Sequence, residues 1–143
     1  MLTYAIQRVG YDYQQADAYG ATDYDAFLRT VDGFPWAAQH AEWNQTQDGP
    51  LPAVVLQNGA DQRALWVTAL GMGERDDGYQ LQSVAMRSHK GFFGKAKVEE
   101  DATVAEARDR AELGRLCRLF CDAQYAALDE EVARLVQRES DRD

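Results

Sequence analysis

Cysteine and histidine are both scarce, two of each in 143 residues, whereas a closed zinc site needs four ligands, usually supplied as two pairs. A standard zinc module is therefore not expected, and no other metal or cofactor is called for. Positive charge is also short. The chain has 15 basic against 24 acidic residues, a net charge of -9, so bulk attraction to nucleic acid or to an anionic membrane surface is not expected. Only 3 prolines are present, which excludes collagen-like and proline-rich extended chains. No apolar run approaches the roughly 20 residues that a membrane-spanning helix requires. A glycine-rich phosphate loop, a serine nucleophile elbow and a metalloprotease helix motif are all missing. The opening residues, Met1 to Val9, lack a basic leader ahead of an apolar core, which reads as no signal peptide and points to a cytoplasmic protein. Reduced thiols agree with that location.

What is present suffices for a core. With 45% hydrophobic and 10% aromatic residues, a chain of this length is expected to fold as a single domain over residues 1–143. Leu2, Tyr4 and Ile6 alternate with Thr3, Ala5 and Gln7, a period of two that predicts a first strand ending at Val9. Residues 10–21, polar and rich in tyrosine, read as a loop with at most a short extended piece. Thr22 and Asp25 match a capping box, and Tyr24, Phe27, Leu28 and Val31 follow at helical spacing until Gly33. A second short helix is expected from Pro35 to about residue 45. The breakers from Gln47 to Pro52 mark a turn. Ala53–Gln57, Ala64–Leu70 and Tyr79–Met86 then read as strands joined by hairpin-length connectors. Ser88–Gly94 is expected to turn, and Lys95–Glu99 to add a short edge strand guarded by lysine. Thr103 and Glu106 form a second capping-box match, opening a long C-terminal helix expected to bend near Gly114. Its core stripe is Leu113, Leu116, Cys117, Phe120, Ala127, Leu128 and Leu135. The expected fold is α+β: an antiparallel sheet of four to five strands with helices on one face, in the order β-α-α-β-β-β-(β)-α.

Few residues offer chemistry. Cys117 and Cys121 stand four apart on a helix, a poor geometry for a disulfide, and Cys117 lies on the apolar stripe, where a free thiol packs as a small hydrophobe. His40, between Trp36 and Trp43, reads as a satisfied, half-buried imidazole. Asp12, Asp17, Asp23, Asp25 and Asp32 follow the first strand, and two of them would have to converge to serve as a general acid and base. Interleaved with these acids are tyrosines. Tyrosine brings contact area at small entropic cost and aspartate brings complementarity to a basic surface, so Tyr11, Asp12, Tyr13, Asp17 and Tyr19 read as a protein-docking face.

A second candidate lies where the charge inverts. Arg87, Lys90, Lys95 and Lys97 fall in a stretch without acids that holds every lysine of the chain, leaving 11 basic against 24 acidic residues elsewhere. Between them, Gly91-Phe92-Phe93-Gly94 sets two aromatics in a turn. Arg87, Lys90, Phe92 and Phe93 either form an exposed aromatic tip flanked by cations or fold back against the core while the lysines guard the edge.

These features favour a small cytosolic binding protein without a catalytic centre, most concretely an immunity protein that neutralises a basic bacterial toxin such as a nuclease. A basic active site that attracts phosphate can be occluded rapidly by an acidic, aromatic-bearing domain. A secretion chaperone for an effector protein, commonly small, acidic and dimeric, is a second reading, and a homodimer stays open with it. A small hydrolase or ligand-binding domain using loop carboxylates is the third, and it requires a deep pocket with converging polar groups.

Overall fold

The computed structural model describes residues 1–71, 78–90 and 96–142. Its strands are β1 (Leu2–Gln7), β2 (Asp17–Ala21), β3 (Ala53–Asn58), β4 (Arg63–Ala69), β5 (Tyr79–Lys90) and β6 (Ala96–Ala107). Helices α1 (Tyr24–Gly33) and α2 (Trp36–Thr46) lie between β2 and β3, while α3 (Arg110–Cys121) and α4 (Tyr125–Arg142) close the chain. The strands form one antiparallel sheet in the order β2-β1-β3-β4-β5-β6. The fold is the expected α+β class, with six strands where four to five were expected.

The core follows from strand register. Ile6, Val54, Val67, Leu81 and Ala105 sit opposite one another in a row that crosses five strands. All five belong to the core cluster, together with Phe27, Leu28 and Val31 of α1, Leu113, Leu116 and Phe120 of α3 and Leu128, Val132 and Leu135 of α4. Because side chains alternate across a strand, the neighbouring row Ala5, Val55, Trp66, Gln82 and Val104 turns to the face that the helices leave open. At the core end, Tyr79, Phe27 and Phe120 are among the largest fully buried side chains, each removing enough apolar area to contribute about 2–3 kcal/mol.

Five expectations are corrected. The tyrosine-rich segment read as loop contains β2, which pairs with β1 through a bulge: Tyr4 faces Gly20 and Ala5 faces Ala18, leaving Tyr19 as the extra residue. Gly20 there has φ +113, a conformation that side-chain-bearing residues avoid. The Thr103–Glu106 capping box is strand, since β6 runs on to Ala107; α3 begins later, capped by the Asp109 side chain, which accepts from the Glu112 N–H at 2.9 Å. Likewise Asp23, not Thr22, caps α1, accepting from the Ala26 N–H at 2.8 Å. Of the turn placed at Ser88–Gly94, Ser88 to Lys90 are strand and the rest lies outside the described residues; β5 continues to Lys90 and pairs with a twelve-residue β6 rather than a short edge strand.

The fifth correction concerns the C-terminal helix, which breaks at Ala123 and not at Gly114. The Ala123 N–H donates to Phe120 O at 3.0 Å and the Gln124 N–H to Leu119 O at 2.9 Å, the bond pair of a Schellman termination, with Ala123 in the left-handed conformation (φ 55). Gly114 stays helical and buried because α1 crosses there. A Cβ at this position would lie 3.1 Å from the Tyr24 hydroxyl and 3.4 Å from Arg110 Nη1.

Candidate functional site

The loop between β1 and β2 is held from below. Gln7 ends β1 with only 3% of its surface exposed, and its Nε2 lies 3.2, 3.1 and 3.1 Å from the carbonyl oxygens of Asp12, Tyr13 and Gln15. The two N–H donors of one buried amide are thus shared among three main-chain acceptors of the loop. A helix adds a second clamp, since Gln39 Oε1 accepts from the Val9 N–H at 2.9 Å. Within the loop the Tyr11 N–H donates to Arg8 O and the Gln15 N–H to Asp12 O. The next loop leans on the first: Trp43 Nε1 donates to Gly49 O at 3.2 Å, and a Cβ built on Gly49 would sit 3.6 Å from Tyr11 O.

The expected docking residues divide into two groups. Tyr11, Asp17 and Tyr19 gather around Arg8. The Tyr11 hydroxyl donates to Asp17 Oδ2 at 2.5 Å, and Arg8 Nη1 reaches Asp17 Oδ2 at 3.4 Å and the Tyr19 hydroxyl at 3.0 Å. Its bond to Asp17 pushes the Tyr11 phenol above its ordinary pKa. Tyr19 stacks on Tyr4 at 5.3 Å between ring centroids yet remains 47% exposed. Asp17 is therefore already neutralised from within the chain. Tyr13 stands apart, 72% exposed, beside the carboxylate of Asp12, which has no partner among the described residues.

Of the second candidate group, Arg87 and Lys90 lie on the outer part of β5, where they pair with Glu99 and Ala96 of β6. Phe92 and Phe93 lie outside the described residues.

Sequence reasoning missed the feature that Tyr13 overlooks. A hollow of about 400 Å³ opens on the helix-free face of the sheet, lined by Gln7, Tyr13, Gly49, Pro50, Leu51, Ala53, Trp66, Thr68, Gln80, Gln82 and Glu100. Glu100 pairs with Met86, far along β6 from the Gln80–Glu106 pair, so the β5–β6 ribbon curves over the open face to bring it there. Thr68 donates to Pro52 O at 2.9 Å and Gln7 is committed to the loop. The amides of Gln80 and Gln82, the Tyr13 hydroxyl and the Glu100 carboxylate have no hydrogen-bond partner among the described residues. The signal that pointed here was the alternation Tyr79-Gln80-Leu81-Gln82, which sets two amides on the face opposite the core.

Most of the other chemistry-bearing residues have structural roles, and Asp25 lies in the first turn of α1. Asp23 caps α1, and Asp32 holds Arg110 at 2.9 and 3.1 Å, tying α1 to α3. His40 Nε2 lies 2.7 Å from Ala69 O; a carbonyl can only accept, so that nitrogen carries the proton. Cys117 and Cys121 are free thiols. Burial raises both, Cys117 strongly and Cys121 to about 11, which disfavours the thiolate that a nucleophile needs. Among the described residues no three His, Cys, Asp or Glu side chains are grouped to hold a metal ion, and no helix is long and apolar enough to cross a membrane. In comparisons with known proteins, no family model, no curated protein and no solved structure matches the chain.

Proposed function

We propose that this protein is a binding domain for a basic protein partner, most concretely an immunity protein that covers the active surface of a basic bacterial toxin in the cytoplasm. The observation that carries this reading is the clamped tyrosine loop: Tyr13 is 72% exposed on a backbone that Gln7 and Gln39 hold in one shape, and Tyr19, 47% exposed, follows it on β2. Exposed phenol rings on a rigid loop give contact area with little ordering cost on association. The net charge of -9 adds steering toward a positive surface. The loop acids have structural roles at Asp17, Asp23 and Asp32, which favours docking over hydrolysis.

The test uses the whole chain as bait in its native host, followed by purification of the captured basic protein and kinetics on the pair. The expected result is an on-rate that falls as salt rises and an off-rate that increases about tenfold or more for Tyr13→Ala, in line with the loss of a buried aromatic anchor. A pair indifferent both to ionic strength and to loss of Tyr13 and Tyr19 would overturn the reading. A secretion chaperone instead predicts capture of an unfolded segment by a dimer, which light scattering and a truncation series of the partner would reveal.

A further inference from the structure

We propose that the hollow on the open sheet face is a guanidinium pocket, which receives an arginine side chain presented by the basic partner; this rests on the reading above and locates its anchor. Among the described residues, Glu100 is the one carboxylate lining the hollow, and no lysine, arginine or histidine lines it. Two aromatic side chains, Tyr13 on the rim and half-buried Trp66, stand with it. Besides the Trp66 indole N–H, which can only donate, the polar side chains of the lining left without partners among the described residues are the Glu100 carboxylate, the Tyr13 hydroxyl and the Gln80 and Gln82 amides. Each of these four can accept a hydrogen bond, and one bears a negative charge.

A site with surplus acceptors, one anion and aromatic rings fits a flat cation that carries several donors. Guanidinium is that group: it has five N–H donors in a fixed fork, stacks on indole or phenol faces, and is less strongly hydrated than ammonium. A lysine would satisfy the charge of Glu100 but not the spread of acceptors from Gln80 to Tyr13. A carboxylate or phosphate would meet Glu100 and no compensating cation. The cavity, at about 400 Å³, falls within the size range of sites that enclose a small organic group. Its walls are pre-shaped, because Gln7 fixes the loop that carries Tyr13 and Thr68 fixes the strand leading from Pro52.

The test titrates the isotope-labelled protein with N-acetyl-arginine amide and, in parallel, with the isosteric citrulline derivative, following the Trp66 indole N–H by NMR. Saturable, millimolar shifts at Trp66 with the arginine probe, at least tenfold weaker with citrulline and about tenfold weaker in Glu100→Gln, are expected for a charge-assisted contact. Equal response to the two probes, no shift at Trp66, or unchanged affinity in both Glu100→Gln and Trp66→Leu would overturn the pocket. Retained binding of the basic partner would then leave the wider reading standing. Should the probe bind as expected but fail to compete with the partner at saturating concentration, the pocket serves a free guanidinium compound and the docking assignment falls.

Discussion

Gln7 is the residue on which the candidate surface depends. It is polar, almost fully buried, and placed at the last position of a strand whose pattern of alternation gave no hint that its amide would serve a loop. Gln7→Ala removes the donor shared by three carbonyl oxygens, so a loss of about 1–3 kcal/mol is expected from the lost hydrogen bonds. Hydrogen exchange should locate the damage, with faster exchange at the Tyr11 and Gln15 amides than in β3 or β4. Uniform loss of protection would place the role of Gln7 in the core instead. Glu112 offers a second residue-scale test. Arg138 donates to it at 2.7 and 3.0 Å and the Arg108 N–H at 2.8 Å; the Arg138 bonds, with the Arg108 amide, outweigh desolvation and hold its pKa near about 2. A depressed carboxylate stabilises the fold fully above its unfolded pKa and loses that contribution as pH falls toward the folded one. Stability should therefore decline between about pH 4.5 and 2, with Glu112 accounting for roughly 3 kcal/mol. In Glu112→Gln, chemical denaturation should give a lower plateau at neutral pH and a flatter acid limb.

At the scale of elements, periodicity located both early helices, the core stripe of α3 and α4 and the three strands β3 to β5. Leu113, Leu116, Cys117, Phe120, Leu128 and Leu135 are buried as that stripe requires, whereas Ala127, expected in it, is only half-buried. Terminations were harder to read, for a physical reason. Glycine is the usual residue in a left-handed helix stop, so Gly114 attracted the break, but its missing side chain serves the crossing of α1 and α3 instead. The true stop uses alanine, which carries no such mark in sequence. Forcing Ala123 to φ 55 costs about 1 kcal/mol relative to glycine. Ala123→Gly should accordingly raise the unfolding free energy by about 0.5–1 kcal/mol, visible as a higher denaturant midpoint at constant slope. A destabilised variant would mean that the junction is held by its contacts rather than by the Schellman bonds. The long β6 was missed for a related cause: Thr103 and Glu106 satisfy the local rule for a helix start, and pairing with β5 overrides it.

For the molecule as a whole, Tyr13 and Tyr19 are exposed and Tyr11 is half-buried, while the hollow beside them was not foreseen because its lining comes from β1, β3, β4, β5, β6 and two loops. Periodicity reports which face a residue takes; it does not report that a ribbon curves back over that face. Charge acts at this scale too. With a net charge of -9, association with a positive partner should slow by about tenfold or more between low and physiological salt, a trend that stopped-flow measurements would check.

The position of β1 carries one more consequence, for biosynthesis. β1 is bonded on one side to β2, which follows closely, and on the other to β3, with Leu2 opposite Asn58 and Gln7 opposite Ala53. During translation the tyrosine segment leaves the ribosome early, yet the strand that anchors it lacks a second neighbour until Asn58 has emerged. A stalled nascent chain shorter than that carries the rings without the geometry, and it presents a bare strand edge open to illegitimate pairing. The tyrosine-bearing face thus gains its second anchoring strand only after its exposed rings have been made.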